Sequence, residues 1–188
     1  MYLVSLPAID LRVYSVCHGA VPDSALTLVM ATLTLIGSGW TMLLLVPLTA
    51  FKATRAVALS MAKAGLLAAA LVFVLKIIVR RPRPCAVFGT PALWGGTPLD
   101  YSFPSGHSTG AFLFAAYVTV LCLRDPAKRR ESWRWAFAAG AFALAGAIAF
   151  SRVYLGVHFP TDVLAGAVLG TTMGAAFAVR LARLRERY

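Results

Sequence analysis

Acidic residues are scarce in this chain: seven Asp and Glu stand against eighteen Lys and Arg, and only 13% of the 188 residues are charged. A soluble domain of ordinary composition would be about a quarter charged. Apolar side chains fill the gap, at 60% of the sequence, and the mean hydropathy is +0.77. Cysteine is sparse as well. Cys17, Cys85 and Cys122 form no CxxC or Cys/His spacing, and an odd count argues against a disulfide scaffold, so unpaired packing thiols are expected. Internal repeats, low-complexity tracts and linkers are missing, so residues 1–188 read as one domain.

The net charge of +11 invites a nucleic-acid partner, but that reading needs a basic stripe on a soluble fold. Here most cations lie between long apolar runs such as 64–75 and 136–150, where they orient membrane helices and meet anionic headgroups. No nucleic-acid binding is therefore expected. The pattern predicts an all-α, polytopic membrane protein: six spans packed as a bundle, over approximately 24–38, 39–52, 56–79, 105–123, 133–151 and 160–181. The first two are short and meet at Gly37-Ser38-Gly39, which suits a tilted pair or a tight hairpin. Residues 1–22 lack the basic start and clean apolar run of a cleaved signal peptide. Their mixture of apolar residues with Asp10, Arg12, His18 and Pro22 suits an interfacial helix.

With six spans, Lys52, Arg55, Arg124, Lys128, Arg129, Arg130, Arg134, Arg180, Arg183, Arg185 and Arg187 all fall on one side, which the positive-inside rule makes cytoplasmic. Lys63 reads as a snorkelling side chain. Gly166, Gly170 and Gly174 repeat at the four-residue spacing that lets helix backbones approach closely, with packing inside the chain favoured over a dimer interface. The sequence leaves an oligomer open without indicating one.

Topology does not explain the polar residues on the other side. Lys76, Arg80, Arg81 and Arg83 end the third span and begin the long, Pro- and Gly-rich loop 80–104. Pro104-Ser105-Gly106-His107 opens the fourth span. Ser151 and Arg152 end the fifth, and His158 and Asp162 lie between it and the sixth. Alternating helix direction brings all three segments to one membrane face. Lys76, Arg83 and Arg152 offer fixed cations suited to phosphate oxygens. Ser105 and Gly106 fall at a predicted helix N-terminus, which favours an anion. His158 and Asp162 are four residues apart, so the carboxylate can hold one imidazole N–H and leave the other nitrogen as a nucleophile. His107 is then the natural general acid for the leaving group. His18 has no such company and reads as a packed or interfacial residue. A metal centre would have to use His107, His158 and Asp162 amid at least three repelling cations, so metal-independent chemistry without a cofactor is expected.

These three segments resemble the signature of the type 2 phosphatidic acid phosphatases. Lys76-Ile-Ile-Val-Arg-Arg-Pro-Arg83-Pro84 is similar to its first motif and Pro104-Ser105-Gly106-His107 to its second. Ser151-Arg152-Val-Tyr-Leu-Gly-Val-His158-Phe-Pro-Thr-Asp162 is similar to its third. The resemblance implies that Lys76, Arg83, Ser105, Gly106 and Arg152 bind phosphate. It also implies that His158 forms a phosphohistidine, that Asp162 supports it, and that His107 protonates the leaving group. Arg80 and Arg81 are not signature positions. The implied function is hydrolysis of a membrane-lipid phosphate or diphosphate, with undecaprenyl diphosphate as the preferred substrate. Phosphatidic acid, phosphatidylglycerophosphate and lipid A phosphates are the alternatives. The implied setting is a bacterial inner membrane with the site facing the periplasm. Related soluble vanadium haloperoxidases are excluded by the apolar runs, and a non-catalytic transporter would not need a nucleophile with its orienting carboxylate.

Overall fold

The computed structural model describes residues 7–18, 24–125 and 131–185, and all regular structure among them is helical. The order is α1 (Ala8–His18), α2 (Ser24–Ile36), a 3-10 stretch (Gly39–Leu44) running into α3 (Leu45–Leu48), α4 (Lys52–Val79), α5 (Pro84–Phe88), α6 (Gly106–Arg124), α7 (Trp133–Tyr154) and α8 (Pro160–Arg185). Four of these, α4, α6, α7 and α8, are long and apolar enough to cross a membrane. At about 1.5 Å per residue they reach the roughly 30 Å of a hydrocarbon core. Their outer faces carry Leu66, Phe73, Leu164 and Val168, each more than 60% exposed. Lipid would solvate these side chains where water would not. This is an integral membrane protein.

The expected count of six spans needs correction. Residues 24–38 and 39–52 do not form two crossing helices; α2 and the Gly39–Leu48 stretch are one bent pair, broken by 47°, which counts as a single fifth span at most. Length is the reason, since the 13 residues of α2 rise only about 20 Å. The break falls at Gly37, where a Cβ would lie 2.3 Å from Ile148 Cγ2, so the chain turns against α7 there.

Helix ends place the functional segments. The α4 helix stops when Arg80 takes a left-handed conformation (φ 50°) with its N–H on the Lys76 carbonyl, and Pro82 cannot resume it. Pro84 opens α5 at a position where its missing N–H costs nothing. Ser105 caps α6, accepting a hydrogen bond from the Ser108 N–H. Gly156 (φ 79°) makes the turn from α7 to α8.

The core of the bundle is α6 against α8. Cβ atoms at Gly166, Gly170 and Gly174 would lie 2.6 Å from the Ser105 carbonyl, 2.1 Å from that of Thr109 and 2.2 Å from that of Leu113. The stripe is buried inside the chain and so is not a surface for a second copy. Residues 1–6 and 19–22 of the expected interfacial segment 1–22 lie outside the described residues. Its helix, α1, packs on α7 and α8 at the end where α4 finishes and α6 begins, and Asp10 is completely buried there. The predicted positions Cys17, Cys85 and Cys122 are free thiols.

Candidate active site

Three segments meet at this end: 80–105, the α7–α8 turn and the start of α1. Arg83 is 5% exposed and nearly saturated with partners. Its Nε donates to the Asp100 carbonyl (2.9 Å), Nη2 to Asp100 Oδ1 (2.6 Å), and Nη1 to both the Val157 carbonyl (2.8 Å) and His158 Nε2 (3.1 Å). Lys76 Nζ donates to Asp100 Oδ2 (2.5 Å) and the Tyr101 carbonyl (2.6 Å). Lys76 and Arg83 thus close on one carboxylate. Burial alone would raise the Asp100 pKa, but the hydrogen bonds and charges of Lys76 and Arg83 outweigh it and hold the carboxyl at about 2.

Arg152 comes from the last turn of α7. Its Nη1 donates to Thr34 Oγ1 (3.0 Å), and Thr34 in turn bonds the Ser151 hydroxyl (2.9 Å). The buried Arg152 Nε has no hydrogen-bond partner among the described residues. His107, one residue into α6, lies within electrostatic reach of Arg152, His158, Arg83 and Lys76. Hydrogen bonds thus link Arg83 to His158 directly and to Lys76 through Asp100, and His107 and Arg152 lie within electrostatic reach of Arg83. Ser105 is present too: its N–H donates to the Asp162 carbonyl (3.0 Å) and its Oγ accepts the cap bond, which leaves the hydroxyl proton able to donate. Among the described residues, the Gly106 and His107 N–H groups at this helix start have no backbone partner.

His158 is 2% exposed. Because an arginine can only donate, the imidazole nitrogen facing Arg83 accepts, which puts the ring proton on Nδ1 and the lone pair on Nε2. Burial lowers the His158 pKa; Asp162 opposes this, Arg83 and Arg152 reinforce it, and the result is about 4. The ring is neutral at physiological pH. The expected grip of Asp162 on the ring is looser than the spacing suggested: Nδ1 and Oδ2 are 3.6 Å apart, beyond hydrogen-bond range. That oxygen already accepts from the Ser102 hydroxyl (2.5 Å) and the Phe159 N–H (2.8 Å), and Ser102 Oγ itself stands 3.4 Å from Nδ1.

Sequence reasoning missed the network behind this pair. Arg81 donates from Nη1 to Asp162 Oδ1 (2.6 Å) and Thr161 Oγ1 (2.7 Å), from Nη2 to Asp10, and stacks over the Phe159 ring at 4.4 Å. Asp10 also accepts from the Thr161 N–H (2.9 Å) and hydroxyl (2.6 Å). Scarcity was the available signal: three of the seven acidic residues, Asp10, Asp100 and Asp162, gather here. Arg80 is exposed and donates from Nε to the Ile77 carbonyl. His18 packs, with Nδ1 3.0 Å from the Tyr154 carbonyl and its ring on Tyr14. No group of three or more His, Cys, Asp or Glu among the described residues is placed to hold a metal ion.

Residues 53–186, well over half of the chain, match the model of the PAP2 superfamily. The chain belongs to that family. PAP2 relatives span several lipid phosphatases. An undecaprenyl-diphosphatase of Sulfolobus acidocaldarius is 33% identical over 130 residues, which is 67% of this chain and 58% of that protein. The chain thus spans less than two thirds of this relative's length. Among solved PAP2-like folds, Aquifex aeolicus LpxE superposes with a TM-score of 0.73 at 27% identity, covering 94% of this chain and 98% of that one. A PAP2-type phosphatidylglycerolphosphate phosphatase of Bacillus subtilis gives the same TM-score at 26% identity, covering 95% and 85%.

Proposed function

We propose that the protein hydrolyses a phosphate monoester or diphosphate on a membrane lipid, without a metal, through a phosphohistidine. The observation that carries this reading is the meeting of Lys76, Arg83, Arg152, His107 and the Nε2 lone pair of His158 at one end of the bundle. Lys76, Arg83, Arg152 and the α6 start at Ser105 and Gly106 bind the phosphoryl oxygens. Arg83 transfers a donor from His158 Nε2 to an oxygen, which frees the lone pair. Nε2 then bonds to phosphorus as the bond to the leaving oxygen breaks, and His107 delivers the proton to that oxygen. Asp162, steadied by Arg81 and Ser102, stabilises the ring as it becomes cationic. Water next attacks phosphorus, losing its proton to His107, and the N–P bond breaks to release inorganic phosphate. Fixed donors around the equatorial oxygens need no reorganisation during either step.

Undecaprenyl diphosphate is the preferred substrate, supported by the archaeal undecaprenyl-diphosphatase relative. A phosphatidylglycerophosphate substrate is the second reading, supported by the B. subtilis fold that covers nearly the whole chain. The exposed cations Lys52, Arg55, Arg124, Arg180, Arg183 and Arg185 at the other end of the bundle favour a cytoplasmic location for that end. The site then opens at the outer face of a bacterial inner membrane, with α1 lying at that interface.

Phosphate release from a panel of purified lipid phosphates in detergent tests the reading, with excess chelator in parallel. His158→Ala is expected to lower turnover by roughly 10⁴-fold or more while the protein stays folded. Undiminished release in that variant, or loss in chelator restored by a divalent ion, contradicts the proposal.

A further inference from the structure

The cations meant for substrate already hold an anion of the chain's own. Asp100 takes Lys76 Nζ at 2.5 Å and Arg83 Nη2 at 2.6 Å, one carboxylate oxygen to each. Donor accounting shows what this means. Arginine has five N–H groups, and bonds to Asp100, Val157 and His158 use four of them. Lysine has three, of which Asp100 and Tyr101 use two. While the carboxylate stays, each side chain keeps a single N–H, so Arg83 cannot offer a phosphate the paired grip of a bidentate contact and Lys76 has its charge already matched. Asp100 is placed to leave: its side chain is 57% exposed and belongs to the irregular stretch between α5 and α6, whereas Asp10 and Asp162 are fully buried. Asp100 is absent from the signature motifs, so nothing assigned so far explains it.

We propose that Asp100 is a built-in competitor for the phosphate cage, which a substrate must displace and which thereby selects for the charge of the group that enters. This rests on the phosphate-binding reading above. A terminal phosphate carries between one and two negative charges near neutral pH and offers three free oxygens. It outbids a single carboxylate for two cations. A phosphodiester headgroup carries one charge on two free oxygens, no more than Asp100 itself, and does not. The surrounding membrane presents diesters in vast excess, so the carboxylate keeps the cage clear for terminal phosphates. Because the carboxyl stays ionised down to about pH 2, the competition operates across the physiological range.

The test uses the full-length protein in detergent, with inorganic phosphate and phosphatidylglycerol in mixed micelles as probes. Binding is read by calorimetry and as competitive inhibition of phosphate release. In Asp100→Asn, phosphatidylglycerol is expected to bind about tenfold more tightly, the effect of removing one charge-assisted competitor, and inorganic phosphate more tightly as well. Asp100→Glu keeps the charge and should stay near wild type. A carboxylate that merely props Lys76 and Arg83 in place predicts the opposite sign, so unchanged or weaker binding in Asp100→Asn overturns the proposal. If wild-type protein binds inorganic phosphate and Arg83→Ala abolishes that binding, the phosphate-site reading stands whatever Asp100→Asn does. If neither wild type nor Asp100→Asn binds it, both ideas fall. Asp100→Ala, checked by its melting temperature, repeats the measurement with a second neutral side chain.

Discussion

The two ends of the bundle are built from the same cations and treat them in opposite ways. At one end Lys52, Arg55, Arg124, Arg180, Arg183 and Arg185 are exposed. At the other, Arg81, Arg83 and Arg152 are each 8% exposed or less, and Arg81 and Arg83 are paired to carboxylates. An exposed charge keeps its hydration and gains about 0–1 kcal/mol from a neighbour. A buried one must find donors and acceptors or cost several kcal/mol. Residue type therefore says little about role in this chain, and burial with hydrogen-bond accounting says much more.

Breaking a buried pair should show the contrast most strongly. Arg81→Gln leaves Asp10 and Asp162 short of their shared cation and is expected to cost about 3–5 kcal/mol, read as a lowered melting temperature in detergent. Arg183→Gln at the exposed end should stay within about 0.5 kcal/mol of wild type. Equal melting of the two variants would erase the distinction between the ends.

Activity should divide the ends as well. Arg152→Ala and Arg83→Lys are each expected to reduce kcat/KM by roughly 10²–10³-fold, the usual loss for a donor aimed at developing charge. Arg180→Ala should change it by less than about twofold. A comparable loss in Arg180→Ala would mean the exposed cations take part in turnover.

The pH dependence sharpens the comparison further. His158 is held at about 4, below its ordinary 6.5. Between those values the unfolded chain takes up a proton that the folded chain refuses, so stability falls as pH drops from 6.5 towards 4. In His158→Gln that decline should be shallower, measured by melting across the window. An identical slope would show that the ring is not held neutral.

The smallest effect concerns the axis joining the ends. Gly170→Ala puts a Cβ 2.1 Å from the Thr109 carbonyl oxygen and should cost about 1–3 kcal/mol by parting α6 from α8. Gly146→Ala meets nothing within 4 Å and should be neutral or slightly stabilising.

Much of the site was legible because its residues sit on three short stretches whose order follows from helix alternation. The apolar runs gave α4, α6, α7 and α8, and alternation carried Lys76, His107 and His158 to one face. The α2–α3 break was harder, since Gly37-Ser38-Gly39 marks a turn without giving its angle. Asp10, Arg81 and Thr161 were invisible because their partnership spans 71 and 151 positions along the chain and leaves no local pattern. Asp100 was missed for a different reason: a lone aspartate in a Pro- and Gly-rich loop resembles any solvated loop residue.

The knot of Asp10, Arg81, Thr161 and Asp162 also sets an order of assembly. Its members come from the first helix, the middle of the chain and the start of the last helix. A ribosome must synthesise past position 162 before Arg81 meets its second carboxylate, by which time α4, α6 and α7 have been made. No shorter nascent chain can complete the knot, so the histidine gains its support only once the start of α8 has been made.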